Sequence, residues 1–173
     1  MNISGIGELA KDEDFDLHYS DEVDINVLGG SKCRIVLEGY DDDDNPDDFR
    51  AAIANFLSIE QSVLQEAEHY IYLYYEDCMR NCDAEDEEFL QVSSAEDIWQ
   101  YIRFGDEARF KRRAYGDNEI YVSLQCGCDW EYEHGLQIVF RNGLAVSKVG
   151  PFDGHLTNAD AFADESLENV IYR

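Results

Sequence analysis

The richest set of side chains able to do acid–base or metal chemistry lies in the last third of the chain. Glu131, Glu133 and His134 share one short segment, and Asp153 and His155 flank a glycine. Carboxylates and imidazoles are the groups that an acid–base pair or a divalent-metal site uses. The same residue types at turns of an acidic protein are more often simply solvated. A small metal-dependent or acid–base hydrolase is therefore the alternative interpretation of the chain, not the preferred one.

Cysteines near the same segment raise the question of zinc. Cys126 and Cys128, with His134, offer thiolate and imidazole ligands. Zinc ribbons usually place a Cys-x-x-Cys pair in a turn, whereas Cys-x-Cys puts both thiols on the apolar face of a strand. Buried free cysteines behave as small hydrophobic side chains. We therefore predict five reduced thiols and no cofactor, with zinc as the less favoured alternative.

The acidic composition bounds the choice of partner. The chain has 39 Asp and Glu against 13 Lys and Arg, a formal charge of −26 at pH 7. This charge repels nucleic-acid phosphates and anionic lipids, so we expect neither nucleic acid nor membrane as a partner. It attracts a basic protein and accelerates the encounter with it. Solubility alone explains the composition equally well.

Two runs of carboxylates are the predicted surface for a basic partner. Neutralising Asp42, Asp43, Asp47 and Asp48 is expected to slow association with little effect on folding. The candidate partner-binding residues are Asp41, Asp42, Asp43, Asp44, Asp47, Asp48, Asp83, Glu85, Asp86, Glu87 and Glu88.

The first acidic run resembles a calcium loop but fails the EF-hand pattern. Counting from Asp41, the sixth position is Pro46 and the twelfth is Ala52, where glycine and a bidentate glutamate are needed. The run is better explained as a helix start, with Asn45 as N-cap and Pro46 at the first helical position.

The elements that would position these groups centre on residues 119–150. Apolar residues alternate from Ile120 to Trp130, which predicts a half-buried antiparallel strand. The segment 131–135 is the expected reversal, and strands follow over 136–141 and 144–149. Asn142-Gly143 between them is a strong signal for a tight hairpin turn.

The rest of the chain predicts a hairpin and then helices. Residues 1–14 are expected to be frayed or lightly held, and alternation over 15–37 indicates an N-terminal hairpin. Helices are predicted over 46–57, 58–81 and 93–103, with Gly105 ending the third. The basic run Arg109, Lys111, Arg112 and Arg113 is expected to pair with carboxylates of the helices. The tail from 158 could hold a helix or a strand.

One segment resembles a known family. Cys126-Gly-Cys-Asp-Trp-Glu-Tyr-Glu-His-Gly-Leu136, followed by Phe140-Arg-Asn-Gly143 and Val149-Gly-Pro-Phe-Asp-Gly-His155, is similar to small uncharacterised bacterial domains of unknown function. The resemblance covers the last third closely and the rest in outline. It implies a cytosolic α+β fold with an antiparallel sheet, and no assigned catalytic residues. Proteins of this kind are sometimes linked to toxin–immunity loci.

These observations predict one α+β domain over residues 1–173, with a mostly antiparallel sheet and helices packed on one face. No apolar run is long enough for a membrane span and no secretion signal is recognised, so a cytoplasmic location is expected. The preferred function is a non-catalytic binding protein, most concretely an immunity protein that neutralises a basic toxin domain. The residues leave the oligomeric state open.

Overall fold

The described part of the chain forms one open eight-stranded sheet with short helices. A computed structural model describes residues 1–12, 14–80, 82, 85 and 89–173. The strands are β1 (Asn2–Ile3), β2 (Gly7–Asp12), β3 (Leu17–Ile25), β4 (Ser31–Glu38), β5 (Ile102–Arg112), β6 (Ile120–Cys128), β7 (Glu131–Arg141) and β8 (Ala145–Gly150). The α-helices are α1 (Pro46–Ser58), α2 (Gln61–Gln65), α3 (Glu68–Met79) and α4 (Asn158–Phe162), and 3-10 turns span Asn26–Leu28, Ala95–Tyr101 and Glu165–Leu167.

Among the described strands, spatial order follows chain order, and only one pair of neighbours is parallel. Six of the seven pairings are antiparallel, as short hairpin connections allow, whereas β4 and β5 run parallel. Parallel neighbours need a long crossover, and the chain between β4 and β5 supplies it with α1, α2 and α3. The expected mostly antiparallel α+β fold is confirmed. No helix in the described residues is long and apolar enough to cross a membrane.

The main core lies between α1 and the central strands. The ring of Phe56 on α1 packs edge-on against Phe110 of β5 and Phe140 of β7, with ring centroids 5.8 and 5.4 Å away. All three side chains are fully buried. Truncating such a phenylalanine to alanine typically costs about 3–5 kcal/mol, so this contact anchors the helix to the sheet.

The alternating residues of β6 separate two environments. Ile120, Val122 and Leu124 enter the main core. Tyr121, from the opposite side of the strand, packs instead with Val139 and Leu156 in a small second cluster. The predicted period of two in this strand is therefore confirmed, and the second face of the sheet carries mostly polar side chains.

Several predicted boundaries differ from the structure. The reversal after β6 falls at Asp129-Trp130, and residues 131–135 already belong to β7. The predicted helix over 58–81 is divided into α2 and α3, and Glu60 rather than Ser58 precedes α2. The predicted end of this helix, Asn81, lies outside the described residues.

The largest missed element is β5. Gly105 was expected to end a helix, but it lies inside this strand, where an added Cβ would be 2.4 Å from the carbonyl oxygen of Gln125. Only glycine permits that approach of two strands. Near the N-terminus, where a frayed segment was expected, β1 and β2 bury Ile3 and Leu9.

Candidate functional site

Glu131 and His134 interact with each other at the start of β7. The Glu131 carboxylate accepts hydrogen bonds from the backbone N–H groups of Glu133 and His134, both at 2.8 Å. Burial opposes ionisation, but these bonds and the nearby imidazole hold the pKa of Glu131 below its usual value. The Nδ1 atom of His134 lies 3.3 Å from the same carboxylate. The carboxylate is therefore occupied in shaping the strand before Gly135, whose φ is 68°.

Asp153 and His155 form a second pair around a buried lysine. Asp153 Oδ1 accepts from the His155 backbone N–H at 2.8 Å, and His155 Nδ1 is 3.5 Å from the same oxygen. The Lys148 ammonium donates to Asp153, to the His155 carbonyl at 3.1 Å and to Gln137 Oε1 at 3.0 Å. Burial lowers the pKa of Lys148, and the carboxylate of Asp153 opposes that shift. The three acceptors satisfy the three N–H donors of Lys148.

The two pairs share one cavity only in part. Glu133 and His134 line it together with Phe152 and Gly154, the neighbours of Asp153, whereas His155 lines another cavity. Within the described residues, which include all five, no group of three or more His, Cys, Asp or Glu is placed to hold a metal. The arrangement therefore offers two locally hydrogen-bonded pairs, and the hydrolase interpretation stays an alternative prediction.

The five cysteines are free thiols, of which Cys33, Cys126 and Cys128 are buried and Cys78 and Cys82 are partly buried. Burial raises the pKa of Cys126 and of Cys128 to about 12, and that of Cys78 to about 11. The Cys128 thiol donates to the backbone carbonyl of Glu131 at 3.3 Å. A thiol must lose its proton to bind zinc, and burial makes that loss more costly. The geometry agrees with the preferred interpretation of these residues as small core side chains.

The acidic loop, residues 41–48, divides into inward and outward carboxylates. Asp43 and Asp48 bind the Arg112 guanidinium, at 2.6 and 2.8 Å. Asp41 binds the Lys11 ammonium at 2.7 Å, and Asp42, Asp44 and Asp47 are exposed. The outward set is Asp42, Asp44 and Asp47, of which Asp47 also binds Arg50 at 2.6 Å. Because Asp43 and Asp48 pair with Arg112, we expect that neutralising these two carboxylates also affects folding.

The second acidic run lies mostly outside the described residues. Glu85 is described and exposed. Asp83, Asp86, Glu87 and Glu88 belong to the part of the chain that the structure does not describe.

Helix α1 begins where the sequence predicts, but its cap differs. Asn45 precedes Pro46 at the first helical position, as expected. The Asn45 amide donates to Asp48 Oδ1 at 2.8 Å instead of capping a backbone N–H. The Asn45 carbonyl accepts from Arg112 at 3.1 Å. The acidic loop is therefore organised around one arginine from β5.

Beside the acidic loop lies a cavity of about 760 Å³, here called the acidic cavity. Its walls are the acidic loop, the first turns of α1, the segment 117–120 and the β7–β8 hairpin. The exposed side chain of Leu144 adds apolar surface to it. This combination of carboxylates and one apolar side chain suits the head and stem of a basic side chain.

Most cations of the chain form ion pairs with its own carboxylates. Every arginine, together with Lys11, Lys111 and Lys148, lies within 4.0 Å of a carboxylate oxygen. Pairing of the basic run is confirmed, although its partners are on β4, β5, the acidic loop, α1 and the C-terminal segment. Arg113, only 4% exposed, binds Asp160 at 2.8 Å and Glu168. The surplus carboxylates therefore define the surface charge.

A second cavity, the sheet-face groove, lies on the polar face of β5–β7 and has a volume of about 780 Å³. Sequence reasoning did not find it, because its residues come from strands that meet only in the folded chain. Its local signals were the alternating polar residues of β6 and the candidate residues Glu133 and His134. Its lining includes Glu38, Asp106, Glu107, Arg109, Lys111, Ser123, Gln125, Tyr132, Glu133, His134, Gln137, Phe152 and Leu156.

The fold and these surfaces define an α+β domain with an open, mostly antiparallel sheet and a strongly acidic exterior. Residues 5–156 match the family model described as domain of unknown function DUF6985, and the chain belongs to that family. No curated protein and no solved structure shows significant similarity to the chain.

Proposed function

We propose that this chain is a non-catalytic acidic binding protein that docks on a basic protein. Its most concrete form is a bacterial, cytoplasmic immunity protein that neutralises a basic toxin domain such as a nuclease. The observation that carries the proposal is the net charge of −26, combined with the internal pairing of the cations. A partner therefore meets carboxylates whose charge is not cancelled.

The acidic loop and the acidic cavity are the proposed interface. Asp42, Asp44 and Asp47 stand outward, while Arg112 fixes the loop from behind through Asp43 and Asp48. A loop held in this way loses little conformational entropy on binding. It also presents its charges in a constant arrangement, which favours fast and specific encounter.

We further infer that α1–α3 cover a single face of the sheet. Phe56 of α1 and Tyr74 of α3 both contact the main core, whose strand residues alternate with those of the polar face. That arrangement leaves the opposite face, with the sheet-face groove, accessible to a partner.

A comparative capture experiment tests the proposed function. Wild-type protein and a triple variant, Asp42→Asn with Asp44→Asn and Asp47→Asn, are used as bait in lysate of the organism that encodes the chain. A control variant removes three exposed carboxylates from β2 and β3: Glu8→Gln, Asp21→Asn and Asp24→Asn. We expect a basic protein to bind wild type and control, to bind the triple variant less, and to dissociate as salt rises.

The readout is mass spectrometry of the eluate followed by the association rate of the purified pair. Association with the triple variant should be slower, with a flatter dependence on ionic strength, while dissociation changes less. Equal loss in the control would show attraction by net charge without an interface at the acidic loop. A captured partner that is itself acidic would contradict the proposal.

A further inference from the structure

The sheet-face groove is shaped by irregularities on both sides of β6. The β5–β6 register shifts between Phe104 and Ala108, and the β6–β7 register shifts between Cys126 and Cys128. Such bulges bend a sheet and are common beside binding sites. Gly135 lines the second shift, where an added Cβ would be 2.6 Å from the Cys126 carbonyl oxygen. The concavity is therefore built into the backbone.

The floor of the groove is a hydrogen-bonded network, and the exposed side-chain amide of Gln125 lies next to it. Buried Lys148 donates to Gln137, and the Gln137 amide donates to the Ser123 hydroxyl at 2.8 Å. This chain fixes Gln137 and Ser123 beneath the surface. Gln125, the next polar residue along β6, is exposed and directed to the groove. Its amide supplies both a donor and an acceptor to an incoming group.

The cations in the groove are already neutralised. Lys111 lies 2.5 Å from Glu38, and Arg109 lies 3.3 Å from Glu107 and 3.6 Å from Glu38. Arg34 continues this ladder, 3.0 Å from Glu107. An anionic ligand would have to separate these pairs, whereas a cation would not.

Carboxylate and aromatic surface remain for a ligand. Within the described residues, Glu133 forms no ion pair, and the Asp106 side chain is 80% exposed with a single contact of 3.6 Å to Arg34. Tyr132, next to Glu133, is 76% exposed, and Phe152 lines the same groove. An exposed aromatic ring and an unpaired carboxylate that line one groove are groups that a planar cation can bind.

We infer that the sheet-face groove receives an arginine side chain of the basic partner. The guanidinium stacks on Tyr132 and donates hydrogen bonds to the Glu133 carboxylate and the Gln125 amide oxygen. Arginine suits the groove better than lysine, because its planar fork stacks on a ring and binds a carboxylate through two N–H groups. The inference rests on the proposed function, and it names the chemistry that the partner presents away from the acidic loop.

The test uses a small probe so that the groove is measured separately from the acidic loop. Nα-acetyl-arginine amide is titrated into full-length, isotope-labelled protein at low salt, and nuclear magnetic resonance shifts are followed. Nα-acetyl-citrulline amide, similar in shape but uncharged, is the matched ligand. We expect arginine to shift the Gln125 side-chain amide and the backbone amides of Gly127 and Gly135, and citrulline to bind these sites at least about threefold more weakly.

Variants then show whether arginine binds in the groove or at another acidic surface. Tyr132→Ala and Glu133→Gln should each weaken arginine binding at the groove by about twofold to fivefold. Tyr115→Ala and Glu165→Gln are the controls, since Tyr115 is 81% exposed and both residues line a different cavity. The controls should bind arginine as wild type does, and thermal unfolding should show all four variants folded.

Two results would overturn the inference. In the first, arginine shifts resonances only at the acidic loop. This result would refute arginine binding in the sheet-face groove but would not contradict a basic partner. In the second, Tyr132→Ala and Glu133→Gln bind arginine as tightly as the controls. Failure of the proposed function has a different signature, namely that no basic protein is captured whatever the groove binds.

Discussion

Asp43 is an interior residue of a loop whose outward carboxylates face solvent. Its side chain is 6% exposed, and Arg112 Nε lies 2.6 Å from Oδ2. The Arg112 hydrogen bonds hold the pKa of Asp43 below its usual value, against the opposing effect of burial. Asp43 therefore holds the acidic loop in place, and Asp42 and Asp44 beside it are free to meet a partner.

Replacing Asp43 should destabilise the fold, and replacing Asp44 should not. Asp43→Asn leaves Arg112 with fewer charged acceptors in a largely buried position, so we expect the free energy of unfolding to fall by about 1–3 kcal/mol. Asp44→Asn, one residue away and exposed, should change it by less than about 0.5 kcal/mol. Urea unfolding at neutral pH measures both. Equal effects would show that the Arg112 pair contributes nothing specific.

The same pair predicts a dependence on pH. Because the pKa of Asp43 is lowered in the folded state, its contribution to stability is present above the pKa of the unfolded carboxyl, about 4. That contribution is lost as the pH falls through the folded-state pKa. The stability difference between wild type and Asp43→Asn should therefore shrink in acid, and a constant difference would contradict the assigned cause.

The turn of the β7–β8 hairpin has the backbone conformation of a tight turn and also contacts helix α1. Asn142 and Gly143 have φ of 53° and 67°, the two positive values that a tight hairpin turn needs. The Asn55 side chain of α1 donates to the Asn142 carbonyl at 3.0 Å. An added Cβ on Gly143 would lie 2.3 Å from the Ala52 carbonyl oxygen. The turn is thus also the place where α1 rests on the hairpin.

Two glycine substitutions should separate the cost of a positive φ from the cost of a clash with α1. Gly143→Ala combines a positive φ with a backbone clash, so we expect it to cost clearly more than the roughly 1 kcal/mol of conformational strain alone. Gly154→Ala, with a φ of 78° and no heavy atom within 4 Å of an added Cβ, should cost only that strain. Denaturant unfolding compares them. Equal losses would mean that α1 does not rest closely on the turn.

The surface charge should make the whole protein more stable as salt increases. The surplus of carboxylates repels itself in the folded state, and this repulsion is screened as the Debye length falls from about 30 Å at 10 mM to about 8 Å at 150 mM salt. Screening also weakens the exposed ion pairs, but such pairs contribute only about 0–1 kcal/mol each. With a net charge of −26, we expect repulsion to dominate.

Calorimetry at several ionic strengths measures this balance. The unfolding temperature should rise between low and moderate concentrations of a simple chloride salt. Titration of a neutral osmolyte over the same range is the control for effects unrelated to charge. A fall in the unfolding temperature would show that the ion-pair network outweighs the net repulsion.

Local patterns were sufficient for the elements whose physical cause is local. Alternation over Ile120–Cys128 predicted β6, and Asn142-Gly143 predicted the turn after β7, because both depend on residues close in the chain. Pro46 marked the start of α1 for the same reason. The charge that limits the choice of partner is likewise a property of composition.

Pairing between distant residues could not be predicted from these patterns. Strand β5 looked like a helix end followed by a basic run, because its charged residues find their carboxylate partners on β4 and on the acidic loop only after folding. Asp43 meets Arg112 across 69 positions, and that contact decides which carboxylates of the acidic loop remain for a partner. The order of residues determined that the surface is acidic and where most turns fall. The crossover that places β4 beside β5 determined which charges cancel and where the sheet-face groove opens, because both depend on contacts between segments far apart in the chain.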